Sequence, residues 1–230
     1  MAIYLIRHGE TAGNRNRVVQ VPETPLSEQG LAQAAALGDR LRDAPIAEIW
    51  TSHLTRARQT AGAVEQTTGA PLAERPDLEE RNFGALRGTP YSELEVDPFV
   101  PGYNPPEGEG WDDFHLRVAR VWDEIVAHYQ ARYASASTPT HLAVVSHGLF
   151  LRALLEGVVL SDAQRAEFAD GEGAVAMPNT ALSVVTPLLD GDSFRGVEIE
   201  RLACTAHLGD GPVLNTNSSL KQSAEGGGPA

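Results

Sequence analysis

Residues 3–11 read IYLIRHGET: four β-forming residues followed at once by a cation, an imidazole, a glycine, a carboxylate and a hydroxyl. A short apolar run of this kind, closed by a polar segment containing glycine, predicts a fully buried strand ending at Arg7 or His8. Beyond it, Ser27 suits a helix N-cap. Leu31, Ala34, Ala35, Gly38 and Leu41 then recur at the spacing of one buried helical face, and Pro45 stops the helix. Ile46 to Trp50 predicts a second strand. A second helix follows from about Leu54, with Leu54, Ala57, Ala61 and Val64 on one side and Gly69 closing its end.

Between Pro71 and Pro106 six prolines (71, 76, 90, 98, 101 and 105) and several glycines break any sustained period, so an irregular segment with short helical pieces is expected. Trp111, Phe114, Val118, Val121, Trp122, Ile125 and Tyr129 then mark a long amphipathic helix whose aromatic residues are expected in the core. His141 to Ser146 reads as a buried strand and Leu149 to about Val159 as a helix. Thr180 to Val185 and Gly196 to Leu202 alternate like strands, the second near a sheet edge because Glu198, Glu200 and Arg201 are polar. This order predicts an α/β fold, a three-layer sandwich with a mostly parallel sheet and helices on both faces. One domain over residues 1–214 is expected. The stretch 215–230, almost without apolar residues, is expected to be a disordered tail.

The 230 residues are 42% hydrophobic and 21% charged, the balance of a soluble globular chain long enough to bury a core. A net charge of −13 places nucleic acids and anionic membranes last among partner classes. The one cysteine, Cys204, removes any intramolecular disulfide and any cysteine-based zinc site, and suits a reducing compartment. The apolar start ends at Ile6, too short for a signal peptide, and no run approaches the ~20 apolar residues of a membrane span. A cytoplasmic protein is therefore expected.

Ligands of open α/β sheets lie beyond the carboxyl ends of strands, and three predicted strand ends carry polar residues. They are Arg7-His8-Gly9-Glu10-Thr11, Thr51-Ser52-His53-Leu54-Thr55-Arg56 and Ser146-His147-Gly148. Two arginines and two histidines at one rim suit a doubly charged oxyanion, because the guanidinium fork matches phosphate. With a nucleophilic imidazole and a carboxylic acid to protonate the leaving oxygen, phosphoryl transfer through a phosphohistidine is complete without metal or cofactor. Glu79 or Glu80 could supply the acid. Arg56, in the first turn of a helix whose dipole it opposes, points to an anionic partner.

LIRHGETAGN, with Arg7, His8, Gly9, Glu10, Thr11 and Asn14, resembles the signature of the histidine phosphatase superfamily, which also holds the cofactor-dependent phosphoglycerate mutases. The resemblance continues through Pro25-Leu26-Ser27, TSHLTRARQTA, LEERNFGALRG, PPEGEGWDDFHLRV, VVSHGLFLRALL and PNTALSVV, covering roughly residues 1–187 in order. It implies that His8 is the nucleophile and Glu80, rather than Glu79, the proton donor. It also implies that Arg7, Arg56 and His147 hold the phosphoryl oxygens, with Asn14 nearby and the backbone at Gly148 helping. On chemical grounds His8 must be neutral, its other ring nitrogen donating to a fixed carbonyl. His147 can be cationic, and Glu80 must carry a proton when substrate arrives.

GALRG resembles the mutase branch. However, Tyr91 stands where the mutases place a lysine, Val21 replaces a usual glycine, and the chain holds no pair of adjacent basic residues. Those losses favour hydrolysis by water, so the expected activity is a metal-independent, histidine acid phosphatase-type phosphomonoesterase acting on a small phosphorylated metabolite. A bisphosphate-dependent phosphoglycerate mutase is the alternative, and a phosphate-binding regulator without turnover is a third. The residues facing the leaving group are expected around Tyr91 to Glu109. The remaining histidines, 53, 115, 128, 141 and 207, are expected to be ordinary surface or core residues, and a homodimer is the default assembly.

Overall fold

Six strands form one sheet in the order β3-β2-β4-β1-β5-β6. They are β1 (Ile3–Arg7), β2 (Ile46–Thr51), β3 (Leu72–Glu74), β4 (His141–Ser146), β5 (Leu182–Asp190) and β6 (Ser193–Cys204). The first four run parallel, β5 is antiparallel to β1, and β6 pairs antiparallel with β5 at the edge. This computed structural model describes residues 1–133, 140–170, 173–191 and 193–209, so the predicted tail lies outside the described residues.

Successive side chains of a strand point to opposite faces, and the short apolar strands supply both. Ile3, Leu5, Leu142 and Val144 pack against α4 (Trp111–Tyr133) and α5 (Gly148–Leu154) through Phe114, Trp122, Ile125, Phe150 and Leu151. Ile6, Ile49, Ala143 and Val145 pack on the other face against α2 (Glu28–Leu41) and α3 (Thr55–Thr68) through Leu37, Leu41, Ala57, Ala61 and Val64. Each fully buried aliphatic or aromatic side chain contributes roughly 1.5–3 kcal/mol of transfer free energy, and the two cores clamp the central strands between them. The α/β sandwich expected from the order of elements is what the chain forms.

The departures are local. The buried stripe of α2 is Gly30, Ala34, Leu37, Gly38 and Leu41, while Leu31 and Ala35 face outward and Leu31 is 50% exposed. The stripe is turned because α2 abuts two other backbones: a Cβ on Gly38 would come within 2.6 Å of the Ala63 carbonyl, and one on Gly30 would overlap the Glu10 carbonyl. Besides the five-residue helix α1 (Ala12–Asn16), which buries none of its residues, two elements carry too weak a period to be anticipated. They are β3, with three mostly exposed residues, and α6 (Asp162–Phe168), which buries nothing and stands on a Ser161–Gln164 capping box. The helix expected to reach Val159 is α-helical only to Leu154 and continues as a π-turn over Leu155–Val159. Among the described residues no helix is long and apolar enough to cross a membrane.

Candidate active site

Register sets three strand ends level. Arg7 pairs with Ser146 across β1 and β4, and Thr51 with Val145 across β2 and β4, so His8, Ser52 and His147 emerge together at the carboxyl edge of the sheet. Main-chain bonds pin them, His8 N–H donating to the Ser146 carbonyl and Ser52 N–H to the Val145 carbonyl, both at 3.0 Å.

His8 is buried, with Nδ1 2.7 Å from the Gly9 carbonyl. A carbonyl only accepts, so Nδ1 carries the proton and Nε2 keeps its lone pair, the tautomer a nucleophile requires. Gly9 is needed for this loop to lie against α2, since a Cβ there would come 2.7 Å from the Gly30 carbonyl oxygen. The rings of His147 and His8 are 5.1 Å apart, and His147 Nε2 lies 2.9 Å from Ser52 Oγ. Arg7 Nη1 donates to the Met177 carbonyl, and Arg56 Nη1, in the first turn of α3, to the Val21 carbonyl at 3.3 Å. Among the described residues Arg7 Nε, Arg56 Nε and His147 Nδ1 are buried without a hydrogen-bond partner. An unsatisfied buried donor is costly, about 1–3 kcal/mol each, and the two guanidinium N–H groups, on residues that line the same cavity as His8, form a cradle for anionic oxygen; His147 Nδ1 joins them as a donor when it carries a proton. Gly148 leaves room for it: a Cβ there would come 3.1 Å from Arg7 Cζ.

Glu80 sits at the start of α5, Oε1 accepting from Phe150 N–H at 2.9 Å and Arg81 N–H at 3.1 Å, Oε2 from Leu149 N–H at 3.0 Å. Glu79 turns away, 3.9 Å from His53 Nε2. Asn14 lies in α1 (Ala12–Asn16), its Oδ1 accepting from Thr11 N–H at 3.2 Å and Asn179 Nδ2 at 3.3 Å.

Burial dominates the electrostatics. It pushes His8 well below the ordinary imidazole range, with Arg56 and Arg7 adding to the shift, and it lowers Arg56 to about 10, still cationic at neutral pH. His147 is pushed well below its ordinary value by burial, then by Arg56 and His8. Without a bound anion this favours the neutral ring; a dianion nearby would act in the opposite sense, which is the setting in which the sequence expectation made His147 cationic.

The cavity above this floor has a volume of about 510 Å³. Arg7, His8, Asn14, Arg56, Glu80 and Gly148 all line it, whereas His147 stands behind His8 and does not. Tyr91 and Phe99 lie on its wall, as expected of the irregular segment. Sequence reasoning missed Phe83, Arg87, Arg152 and Glu156 there, and it did not foresee that Trp111, which packs against the core as expected, and His115, exposed, also line the cavity. Trp111 begins α4 and stacks under the Arg81 guanidinium at 3.9 Å, so the helix start meets the cavity at Trp111 while Phe114 and the later stripe face the core. Helical spacing alone does not separate the two. Among the described residues no three His, Cys, Asp or Glu side chains gather as a metal site.

The family model described as histidine phosphatase superfamily (branch 1) matches residues 3–199. The chain belongs to this superfamily. Within it, the protein is 30% identical over 225 residues to a probable phosphoglycerate mutase GpmB of Yersinia pestis, covering 94% of this chain and 98% of that one. It is also 30% identical over 184 residues to fructose-2,6-bisphosphatase TIGAR B of Danio rerio, covering 66% and 72%. A solved mycobacterial glucosyl-3-phosphoglycerate phosphatase shares the fold with a TM-score of 0.71 at 23% identity, covering 86% and 97%. Histidine phosphatases with phosphatase names and with mutase names thus both stand among its relatives.

Proposed function

We propose that this histidine phosphatase is a phosphomonoesterase that hydrolyses a small organic phosphate through a phosphohistidine on His8. The observation that carries the reading is the buried His8 with Nδ1 committed to the Gly9 carbonyl, surrounded by the unpartnered Arg7 Nε, Arg56 Nε and His147 Nδ1. Nε2 attacks phosphorus, the N–P bond forms as the bond to the leaving oxygen breaks, and that oxygen takes a proton from Glu80. Arg7 and Arg56 hold the equatorial oxygens, where charge is stabilised in the transition state. His147 adds a further donor, Asn14 and the backbone at Gly148 complete the contacts, and the approaching dianion favours a proton on His147. Water then gives its proton to Glu80 and attacks phosphorus; the N–P bond breaks, releasing inorganic phosphate and regenerating the neutral imidazole. Every proton and electron pair in this cycle is handled by the chain itself, without metal or cofactor.

The similarity to GpmB favours a second reading, a mutase that returns the phosphoryl group to a phosphoglycerate. Tyr91 on the cavity wall, in place of a cation, weighs toward water as the acceptor. A binding protein without turnover would need neither a nucleophile held in one tautomer nor a carboxyl beside it.

The test is hydrolysis of an aryl phosphate in the presence of a chelator, with brief quenching to trap acid-labile phosphate on the protein. Turnover with trapped phosphate is expected, and absence of both sinks the reading. Strong bisphosphate-dependent interconversion of 2- and 3-phosphoglycerate, exceeding hydrolysis, would put the mutase in its place.

A further inference from the structure

The segment Pro178-Asn179-Thr180, just before β5, carries strain beside the nucleophile. Thr180 has φ +54°, the left-handed region in which a β-branched residue is an outlier that persists only when its surroundings hold it there. On its inner side this segment grips His8 twice: Thr180 N–H donates to the His8 carbonyl at 3.2 Å and Asn179 Nδ2 to the same oxygen at 3.1 Å. That carbonyl belongs to the peptide joining His8 to Gly9, whose N–H donates to Thr60 Oγ1 at 3.0 Å; the Gly9 carbonyl that meets His8 Nδ1 lies one peptide further on, so the set of the first peptide helps to place it.

On its outer side the segment is gripped from elsewhere. Thr180 Oγ1 lies 3.0 Å from His207 Nε2, and His207 Nδ1 lies 3.1 Å from Arg40 Nη1. A guanidinium only donates, so Nδ1 accepts, Nε2 carries the proton and donates to Thr180 Oγ1, and the Thr180 hydroxyl in turn donates a hydrogen bond to the Asn179 carbonyl at 2.8 Å. The direction of every bond is thereby set, from Arg40 in α2 through His207 to the residues that hold His8. Burial and Arg40 lower His207 to about 4, which keeps the required neutral ring at physiological pH. Arg40 is itself steadied by the Cys204 thiol, 3.3 Å from Nη2.

We infer that His207, which does not line the cavity, is a positioning residue for His8: by latching Thr180 in its strained conformation it orients the His8–Gly9 peptide and so the attacking nitrogen. This rests on the proposed role of His8 as nucleophile. A residue acting in this way governs the chemical step while leaving the phosphate cradle of Arg7 and Arg56 unchanged.

The experiment compares His207→Ala with His207→Gln, whose amide can both accept from Arg40 and donate to Thr180. In aryl phosphate hydrolysis, the alanine variant is expected to lose about tenfold in kcat, the scale of a small misplacement of a reacting group. Its KM should move less than about twofold, and glutamine should restore most of kcat. Thr180→Gly adopts φ +54° without strain and has no hydroxyl, so in that background His207→Ala should have almost no effect. Equal kcat for wild type and His207→Ala, no rescue by glutamine, or an undiminished effect in the Thr180→Gly background would each overturn the inference. Histidine ¹⁵N spectra provide a readout that needs no turnover. His207 should be protonated on Nε2, and the His8 Nδ1–H signal should shift in His207→Ala; an unchanged signal overturns the latch. If wild type fails to hydrolyse phosphate, the phosphatase reading falls while these spectra still decide the latch.

Discussion

The floor of the cavity and its outer wall are held by different kinds of bond. At the floor, parallel strands bring His8, Ser52 and His147 level, and main-chain bonds from His8 and Ser52 to the end of β4 pin them. The wall around residues 98–109 has no strand beneath it and leans on two guanidiniums. Arg81, 1% exposed, donates to the carbonyls of Pro98, Tyr103 and Glu109 while stacking on Trp111. Arg117 binds both oxygens of Glu109, at 2.8 and 2.7 Å, and reaches the carbonyls of Asp77 and Glu79. On the proposed reading, chemistry rests on strand ends pinned by main-chain bonds, and the surface facing the leaving group rests on a segment held by a few side chains.

Breaking the floor has the largest expected effect. His8→Ala should lower turnover at least about a thousandfold and abolish trapped phosphate, with an unchanged circular dichroism spectrum. Activity in His8→Ala near that of wild type would move the chemistry off the strand ends.

Breaking the wall comes next, and it should cost stability before chemistry. Arg81→Ala strands three carbonyls and unstacks Trp111, with an expected loss of about 3 kcal/mol in urea unfolding. Its KM should rise while phosphate can still be trapped on His8. A variant that keeps KM but loses the trapped phosphate would show that wall and floor are one unit.

Acid acts on the floor more than on the wall. His8 and His147 are held well below the ordinary histidine value of 6.5, and His207 at about 4. The unfolded chain therefore binds protons first as pH falls. The stability these groups contribute is fully present above 6.5 and declines as pH drops through it, His207 ceasing to add to the decline near 4. Urea midpoints should fall between pH 7.5 and pH 5, and His207→Gln should flatten that slope. Turnover should persist below pH 6.5, because the nucleophile remains unprotonated there.

The smallest effect is expected from trimming the wall. Phe99→Ala removes one ring of the edge-to-face series Phe83–Phe99–Tyr91 and should change kcat/KM for bulky leaving groups by a few-fold, with little change for a small one.

The same contrast explains what could be read in advance. The floor was legible because buried strands leave a strong signal and because Arg7 ends β1, His8-Gly9 and His147-Gly148 follow strands directly, and Arg56 lies in the first turn of the helix after β2. The choice of Glu80 over Glu79 came from the family resemblance, and its physical basis, the N–H groups opening α5, is visible only in three dimensions. The wall was not legible. Proline and glycine erase periodicity, and the first turn of α4 shares its spacing with the core-facing turns below, which hid Trp111 and His115. The role of His207 left no local signal at all, because it depends on Arg40 and Thr180 meeting it from distant parts of the chain.

The place of β4 in the sheet has one more consequence. It lies between β1 and β2, although both precede it in the chain. Without it, the N–H groups of His8 and Ser52 lack their acceptors and His147 is absent from the rim. Assembly of the site is therefore coupled to long-range strand pairing rather than to any local structure. During refolding, any turnover is expected to return no sooner than the slowest signal that reports the whole sheet, which makes the site a reporter of the fold's completion.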